Sequence, residues 1–244
     1  MFKSCVSSVV CAVALVVAVL VSPVLANENP EKSWSGASEL GYVATSGNTD
    51  TQTVNAKIRL KQAKAEWENT FALEALNTAE SDQTSAERYL ANAQANRSVT
   101  EQDFLFGLVN YEDDRFSGFQ FESLVALGYG RRLINTDRSI LDVEVGPGVR
   151  FVKPDQGPSD EEGILRLAAR YGIDISDTSR FEQTFSADAG EERVISKSVS
   201  SITSNINGSL AMKVSLTVRN NSEPAQATND KTDTETAVTL VYSY

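Results

Sequence analysis

Apolar and polar side chains alternate along most of the chain, with the two-residue period of a β-strand that buries one face. In residues 52–62, Val54 and Ile58 lie on one face of such a strand, whereas Lys57 and Arg59 lie on the other. An amphipathic helix would space its apolar residues three and four positions apart, so this segment does not fit a helix. The alternation therefore predicts an all-β fold.

The same pattern recurs from residue 34 to residue 244. We predict about twelve strands, near 34–45, 52–62, 67–75, 88–96, 103–112, 123–129, 141–151, 164–175, 181–188, 193–204, 209–219 and 232–244. An even number of strands of about ten residues, apolar outside and polar inside, is typical of a bacterial outer-membrane barrel. The fold class predicted is a transmembrane, antiparallel up-and-down β-barrel, and the alternative is a soluble β-sandwich.

The connections fit a barrel in which short turns face the periplasm and longer loops face outward. The predicted tight turns lie near 62–66, 99–102, 176–180 and 204–208. The predicted longer loops lie near 77–86, 112–118, 153–163 and 220–231. A Gly/Asn turn at 46–50 joins the first two strands.

Residues 1–26 have the features of a cleaved signal peptide. Lys3 precedes the apolar run 6–21, and Ala26 ends a stretch that fits a cleavage site. We therefore expect export in a Gram-negative bacterium, with residues 27–244 forming a single outer-membrane barrel domain. An uncleaved N-terminal anchor helix is the alternative.

The composition argues against several functions. The chain has no histidine, which removes the commonest general base and a common metal ligand. Both cysteines, Cys5 and Cys11, lie in the predicted signal peptide, so no disulfide is expected in the mature chain. With 22 basic and 33 acidic residues, the chain is too acidic to favour nucleic acid as a partner.

Candidate chemistry is sparse, and we expect no catalytic residues, no metal and no cofactor. Asp142 and Asp174 would form an acid–base pair only if neighbouring strands brought them together. The acidic segments 112–114 and 159–162 lack the spacing of a calcium loop and are interpreted as solvated loops.

The lumen is the remaining place for function. The candidate pore-lining residues are Arg59, Arg88, Arg150, Arg166, Arg170, Arg219, Glu144 and Asp174. Arg150, Arg166 and Arg219 are expected near the outer mouth, where a cluster of arginines would favour anions. Glu144 is expected to reach Arg170 diagonally across a hairpin. About eight strands fill a barrel with side chains and about sixteen leave a channel, so twelve leaves both a plugged and an open lumen possible.

The C-terminus carries apolar and aromatic residues at every second position. They are Val238, Leu240, Tyr242 and Tyr244. A terminal aromatic residue after such a series resembles the signal by which the barrel-assembly machinery recognises its clients. The other expected partners are outer-membrane lipid and lipopolysaccharide, and the barrel is expected to be a monomer.

Several short segments in order resemble the YdiY-like family, also called domain of unknown function 481 or salt-induced outer-membrane protein. They are Glu39-Leu40-Gly41-Tyr42, Thr45-Ser46-Gly47-Asn48-Thr49, Tyr111-Glu112-Asp113-Asp114-Arg115-Phe116, Gly128-Tyr129-Gly130-Arg131-Arg132-Leu133, Gly146-Pro147-Gly148-Val149-Arg150-Phe151, and Thr232-Asp233-Thr234 ahead of Leu240-Val241-Tyr242. The resemblance covers residues 34–244, although Tyr244 stands where the family would have Phe. It implies an outer-membrane barrel with no established reaction.

The predicted function is a narrow channel for small solutes or ions, linked to salt, osmotic or envelope stress. The stress link comes from the family resemblance alone. The alternative is a closed barrel with a structural role or with binding through loops such as 153–163 and 220–231. A lipid-modifying enzyme is less favoured, because no histidine and no Gly-x-Ser-x-Gly elbow are present.

Overall fold

A computed structural model describes residues 33–45, 51–80, 83–155, 157–224 and 231–244. They form twelve antiparallel strands, β1 (Ser33–Thr45), β2 (Thr51–Lys64), β3 (Trp67–Glu80), β4 (Gln83–Ser98), β5 (Asp103–Asp114), β6 (Phe119–Asn135), β7 (Ser139–Pro154), β8 (Asp160–Asp174), β9 (Ser179–Gly190), β10 (Val194–Asn205), β11 (Leu210–Asn221) and β12 (Thr232–Ser243). Each strand pairs with the next, and β12 pairs with β1, so the sheet closes into a barrel. The predicted fold class and strand number are confirmed. The predicted signal peptide and the predicted turn at 46–50 lie outside the described residues.

The strands connect at two ends, which we call the terminus end and the loop end. The terminus end is where β1 begins and β12 finishes, and its connections have two to four residues. Its turns lie at 65–66, 99–102, 136–138, 175–178 and 206–209. Four of them overlap the predicted turns, and the turn at 136–138 was not predicted. No helix within the described ranges is long and apolar enough to cross a membrane.

Three of the four longer loops predicted at the loop end were too long, and the fourth, predicted at 220–231, corresponds to the connection 222–231. Most of 77–86 is strand, since β3 continues to Glu80 and pairs there with Gln83 of β4. The loops predicted at 112–118 and 153–163 shrink to 115–118 and 155–159. Polar side chains are accommodated on a strand wherever they face water, so polarity alone overestimated the loops.

The outer face of the barrel is largely apolar. Large side chains at least half exposed on this face include Leu40, Leu73, Val109, Leu127, Leu165 and Leu240. Such a surface needs lipid around it, because a soluble protein would bury it. The exception is β10, whose outward positions carry Ser196, Ser198 and Ser200.

One side of the interior is also apolar. The side chains buried there come from β5, β6 and β8, and they are Phe104, Phe106, Leu108, Leu124, Ala126 and Ile164. The rings of Phe104 and Phe106 cover Gly130 and Gly128, their register partners on β6, and any side chain at either glycine would collide with the ring. This apolar block forms a packed core on the β5–β8 side of the lumen, and the partly exposed Arg132 and Arg170 also lie on that side.

Candidate functional site: the barrel lumen

The alternation of the strands places the eight predicted pore-lining residues on the inner face. Those in the loop half are Arg88, Arg150, Arg166 and Arg219. Those in the terminus half are Arg59, Arg170, Glu144 and Asp174. Most of them are engaged with partners that the sequence analysis did not single out.

The lumen is bridged in its loop half by an arginine that reaches the opposite wall. Arg219 of β11 donates a hydrogen bond to Glu112 of β5 and lies 3.9 Å from Glu122 of β6. Five strands separate β5 from β11 in either direction around the barrel. The Arg219–Glu112 ion pair therefore spans the interior of the barrel and narrows its lumen.

A second group of charges links β12 to β2, β3 and β4 across the interior. Arg88 lies 2.7 Å from Glu235 and 3.7 Å from Glu74. Lys57 lies 3.1 Å from Glu74, and Asn55 donates a hydrogen bond of 3.2 Å to Glu235. Because Glu235 accepts bonds from both β2 and β4, the network reaches past β1, which lies between β2 and β12.

Solvent reaches these bridging groups even though the barrel wall surrounds them. The side chains of Arg219, Arg88 and Glu235 keep 20%, 17% and 26% of their exposure. By contrast, the side chains of Arg150 and Glu162 keep only 1% and 7%. Accessible surface inside a closed sheet is surface that a luminal water molecule could reach, and on this measure we call the bridged region wet and the surroundings of Arg150 dry.

The three arginines expected at the outer mouth are each matched by acidic partners. Arg150 donates to Glu162 at 2.9 Å and to the backbone carbonyl of Asp188 at 2.9 Å. Arg166 approaches both oxygens of the Asp188 carboxylate, at 2.7 and 2.9 Å, and Arg219 is bound as described above. They therefore do not form the ring of uncompensated positive charge on which the predicted anion preference depended.

The terminus half contains a separate ion-pair group. Asp142 accepts bonds of 2.8 and 3.2 Å from Arg132 and one of 3.3 Å from Arg170. The predicted diagonal pair of Glu144 with Arg170 is not formed, and Glu144 instead accepts a bond of 2.9 Å from Gln94. The reason is register, since Asp142 stands directly opposite Arg170 on the neighbouring strand.

The two candidate catalytic carboxylates lie apart. Asp174 pairs with Arg180 at 2.6 Å, near the terminus end of β8. Asp142 faces Arg170, four residues earlier on that strand, which corresponds to about 13 Å along it. The conditional acid–base pair is therefore not assembled, and the expectation of no catalytic activity stays a prediction.

The remaining candidates show no assembled chemistry. Arg59 lies opposite Ala37 and Ala72 and forms no ion pair within the described part of the chain. The acidic residues of 112–114 and 160–162 belong to β5 and β8 rather than to loops, which corrects that interpretation. Among the described residues, no group of acidic side chains is arranged to hold a metal ion.

The C-terminal residues close the barrel. Tyr244 exchanges two backbone hydrogen bonds with Gly36 of β1, of 2.7 and 2.9 Å, and its ring lies over that glycine. Val238, Leu240 and Tyr242 point outward with it, each between 44% and 50% exposed. Recognition of this series by an assembly machinery stays a prediction.

Comparison with known proteins agrees with this geometry. The model of the family described as "Protein of unknown function, DUF481" matches residues 38–244. The chain belongs to the DUF481 family. It is 30% identical to the uncharacterized protein YdiY of Escherichia coli K12 over 218 residues, which covers 87% of this chain and 84% of YdiY.

Solved structures similar to this DUF481 protein are outer-membrane barrels. The COG4313 outer membrane channel from Pseudomonas putida F1 superimposes with a TM-score of 0.51 at 11% identity, covering 92% of this chain and all of the other. The translocator domain of the autotransporter NalP from Neisseria meningitidis gives a TM-score of 0.48 at 11% identity, over 100% of this chain and 99% of that one. At 11% identity, the likeness to the COG4313 channel shows the barrel fold alone.

Proposed function

We propose that this protein is an outer-membrane barrel with a narrow, water-filled passage for small ions and solutes. The observation that carries the proposal is the wet network that crosses the lumen in its loop half. The bridging side chains and the neighbouring Lys197 together form the constriction set, which comprises Lys57, Glu74, Arg88, Glu112, Glu122, Lys197, Arg219 and Glu235. Charged side chains that keep solvent contact can rearrange around a passing ion, unlike a packed apolar core.

The charge of the constriction set predicts weak ion selectivity. The set contains four basic residues and four acidic ones, so its formal charge is zero. A ring of one sign would concentrate ions of the opposite sign, whereas alternating pairs do not. We therefore expect a small reversal potential in a salt gradient, in place of the anion preference predicted from the arginines alone.

Single-channel recording of the refolded barrel in a planar bilayer tests the proposal. We expect discrete, reproducible conductance steps with weak selectivity. A silent bilayer would contradict it, provided that insertion is established by the shift in gel mobility that folded barrels show on heating. The result would then favour a closed barrel with a structural or binding role, for which the Arg219–Glu112 bridge is the supporting observation.

The cellular setting is part of the same proposal. Export would be supported by a mature N-terminus at Asn27 in outer-membrane fractions, and an intact N-terminus at Met1 would contradict it. The link to salt or osmotic stress comes from the family resemblance, and we expect the abundance of the protein to rise with external salt. Unchanged abundance across salt concentrations would remove that link.

A further inference from the structure

A groove lies on the outer face of the barrel between β6 and β9, toward the terminus end. Its floor is formed by Val143 and Ala169, which are register partners on β7 and β8. Larger side chains border it on both sides, Tyr129 on β6 and Phe185 on β9, and both are nearly half exposed. The groove has a volume of about 470 Å³, which is within the range of pockets that hold a small molecule.

The lining of this groove is apolar. Val145 and Leu167 extend it along the outer face. Glu144 also borders the groove, but its side chain points into the lumen, where it accepts a bond from Gln94. Apolar surface in a recess is best covered by another apolar group. On a face that lipid surrounds, a hydrocarbon chain is therefore the occupant that fits this lining.

A polar cluster stands beside the groove on β5 and β6. The hydroxyl of Tyr129 donates a hydrogen bond to Asp103, whose other carboxylate oxygen accepts one of 2.8 Å from Thr100. Arg131 is the register partner of Val143, donates a hydrogen bond of 3.2 Å to Gln102 and lies 3.6 Å from Asp103. Hydrogen bonds therefore hold one cation and one carboxylate in place where the groove begins.

Both charges of this cluster have capacity for a further partner. The side chain of Arg131 is 50% exposed and that of Asp103 is 23% exposed. Their separation of 3.6 Å is too long for a good hydrogen bond. Since a guanidinium has five N–H donors, Arg131 keeps donors for a phosphate, and the carboxylate keeps lone pairs for an ammonium.

The surroundings of the cluster carry no excess of positive charge. Glu101, in the turn before β5, is exposed and forms no ion pair within the described ranges. The next outward cation along the sheet, Arg97 of β4, has its own carboxylate at Glu66, 3.5 Å away. The outward positions of β7 and β8 nearer the terminus end are Leu141 and Tyr171, which are uncharged at neutral pH. A head group with both charges therefore matches the cluster better than a purely anionic one.

The cluster also lies at a suitable level of the barrel. Tyr129 is one of several aromatic residues exposed outward toward the terminus end, with Trp34, Trp67 and Tyr244. Such aromatic residues mark the boundary between the hydrocarbon and the head groups around outer-membrane barrels. A lipid whose head group sits at Arg131 therefore has its chains at the depth of the groove.

We propose that this groove binds one phospholipid whose zwitterionic head group carries a primary ammonium. One acyl chain lies over Val143 and Ala169, the phosphate accepts hydrogen bonds from Arg131, and the ammonium donates to Asp103. No bond is made or broken on binding. The site faces lipid rather than the lumen, so it does not depend on the proposed channel.

Native mass spectrometry of the refolded full chain tests the site. The barrel is released from detergent that contains equal amounts of phosphatidylethanolamine and phosphatidylglycerol with the same acyl chains. We expect one phosphatidylethanolamine retained on each barrel, in about tenfold preference to phosphatidylglycerol, because only the former also satisfies Asp103. Equal retention of the two lipids, or a preference for phosphatidylglycerol, would overturn the proposal.

Two substitutions separate the head-group contacts, and the shift in gel mobility on heating establishes that each variant is folded. Arg131→Gln removes the donor to the phosphate and should lower the retention of both lipids about tenfold. Asp103→Asn should lower the retention of phosphatidylethanolamine alone. The matched control is Arg97→Gln, which removes an outward arginine at the same end and should change neither. Wild-type retention in the Arg131 and Asp103 variants would contradict the assigned contacts.

The groove has its own test. Ala169→Leu fills the floor of the groove and should abolish retention without altering the polar cluster. The control Ala93→Leu adds the same volume to β4, on the opposite side of the barrel, and should leave retention unchanged. An excess of glycerophosphoethanolamine, the same head group without acyl chains, should not displace the lipid. Displacement by that compound, or normal retention in Ala169→Leu, would show that the chain does not bind in the groove.

Discussion

The two sides of the lumen are filled differently, one by packed apolar side chains and the other by charged side chains. On the β5–β8 side, Phe104 and Phe106 pack over glycines, and the neighbouring Arg150 is almost completely buried. On the side formed by β10–β12 and β1–β4, charged residues such as Arg88 and Glu235 remain in contact with solvent. The comparison shows that a luminal charge has no single meaning, since burial decides whether it belongs to a structural core or to the proposed passage.

The largest effect is expected from damage to the apolar block. Changing Phe106 to Ala should lower the free energy of unfolding by about 3–5 kcal/mol, because the ring leaves a cavity that its surroundings cannot fill. Equilibrium unfolding in urea, in the presence of lipid, measures this loss. The control Phe71→Ala removes an outward ring that is 44% exposed, where lipid fills the space, and should cost clearly less. Equal losses would mean that the block is not a core.

Breaking the dry ion pair should come next. Changing Arg150 to Met should cost about 3 kcal/mol, because Glu162 is left as a buried charge without its partner. The two backbone N–H groups that also bind Glu162, from Glu192 and Arg193, limit the loss. Adding Glu162→Gln removes the stranded charge while keeping an acceptor for those N–H groups. The double variant should therefore recover much of the stability in the same unfolding assay.

The wet side should respond in selectivity more than in stability. Changing Glu112 to Gln leaves Arg219 partly uncompensated and should shift permeability toward anions by about fivefold, the effect of one unit charge at close range in water. Arg219→Gln should shift it toward cations by a similar factor. Reversal potentials in a salt gradient measure both changes. The control Arg97→Gln, on the outer face over Trp67, should leave selectivity unchanged. Unchanged selectivity in both luminal variants would mean that ions do not pass the Arg219–Glu112 pair.

The smallest effect is expected at the terminus end, where Lys61 and Glu68 form a half-exposed ion pair of 2.8 Å. Changing Glu68 to Gln should alter the free energy of unfolding by less than about 1 kcal/mol, because solvent screens such a pair. A loss as large as that from Arg150→Met would show that this part of the lumen is also dry.

The two-residue period of the sequence predicted the fold, because most strands place apolar side chains on the lipid face and polar ones on the luminal face. All twelve strands were found, including β10, whose segment is mostly Ser and Thr. The length of the strands was harder to predict. Thr78 and Gln83 extend β3 and β4 beyond the apolar band, where polar residues face water and give the same signal on a strand as in a loop.

The candidate site was predicted less well, because the alternation of side chains describes one strand at a time. Period assigns a side chain to a face but gives no partner, so Glu112 could not be matched to Arg219 across the barrel. In β5 both faces are apolar, with Phe104 and Phe106 inward and Leu105 outward. Alternation cannot tell the inner face of β5 from its outer face. The expectation of an apolar outside and a polar inside therefore did not predict the apolar block in the lumen. The glycines at 128 and 130 were a usable signal, since large rings on a neighbouring strand commonly cover such positions.

Water access inside the lumen tests the division into a wet and a dry side most directly. With Cys5 and Cys11 changed to serine, Thr217→Cys introduces a thiol opposite Glu235, and Ala126→Cys introduces one in the apolar block at a site that is 2% exposed. Both substitutions change the side-chain volume little. A charged, membrane-impermeant thiol reagent is then applied to the folded barrel in vesicles, and the rate of modification is measured. We expect rapid modification at 217 and protection at 126. Protection at both sites would mean a plugged barrel, and equal modification would mean that the β5–β8 side is not a packed core.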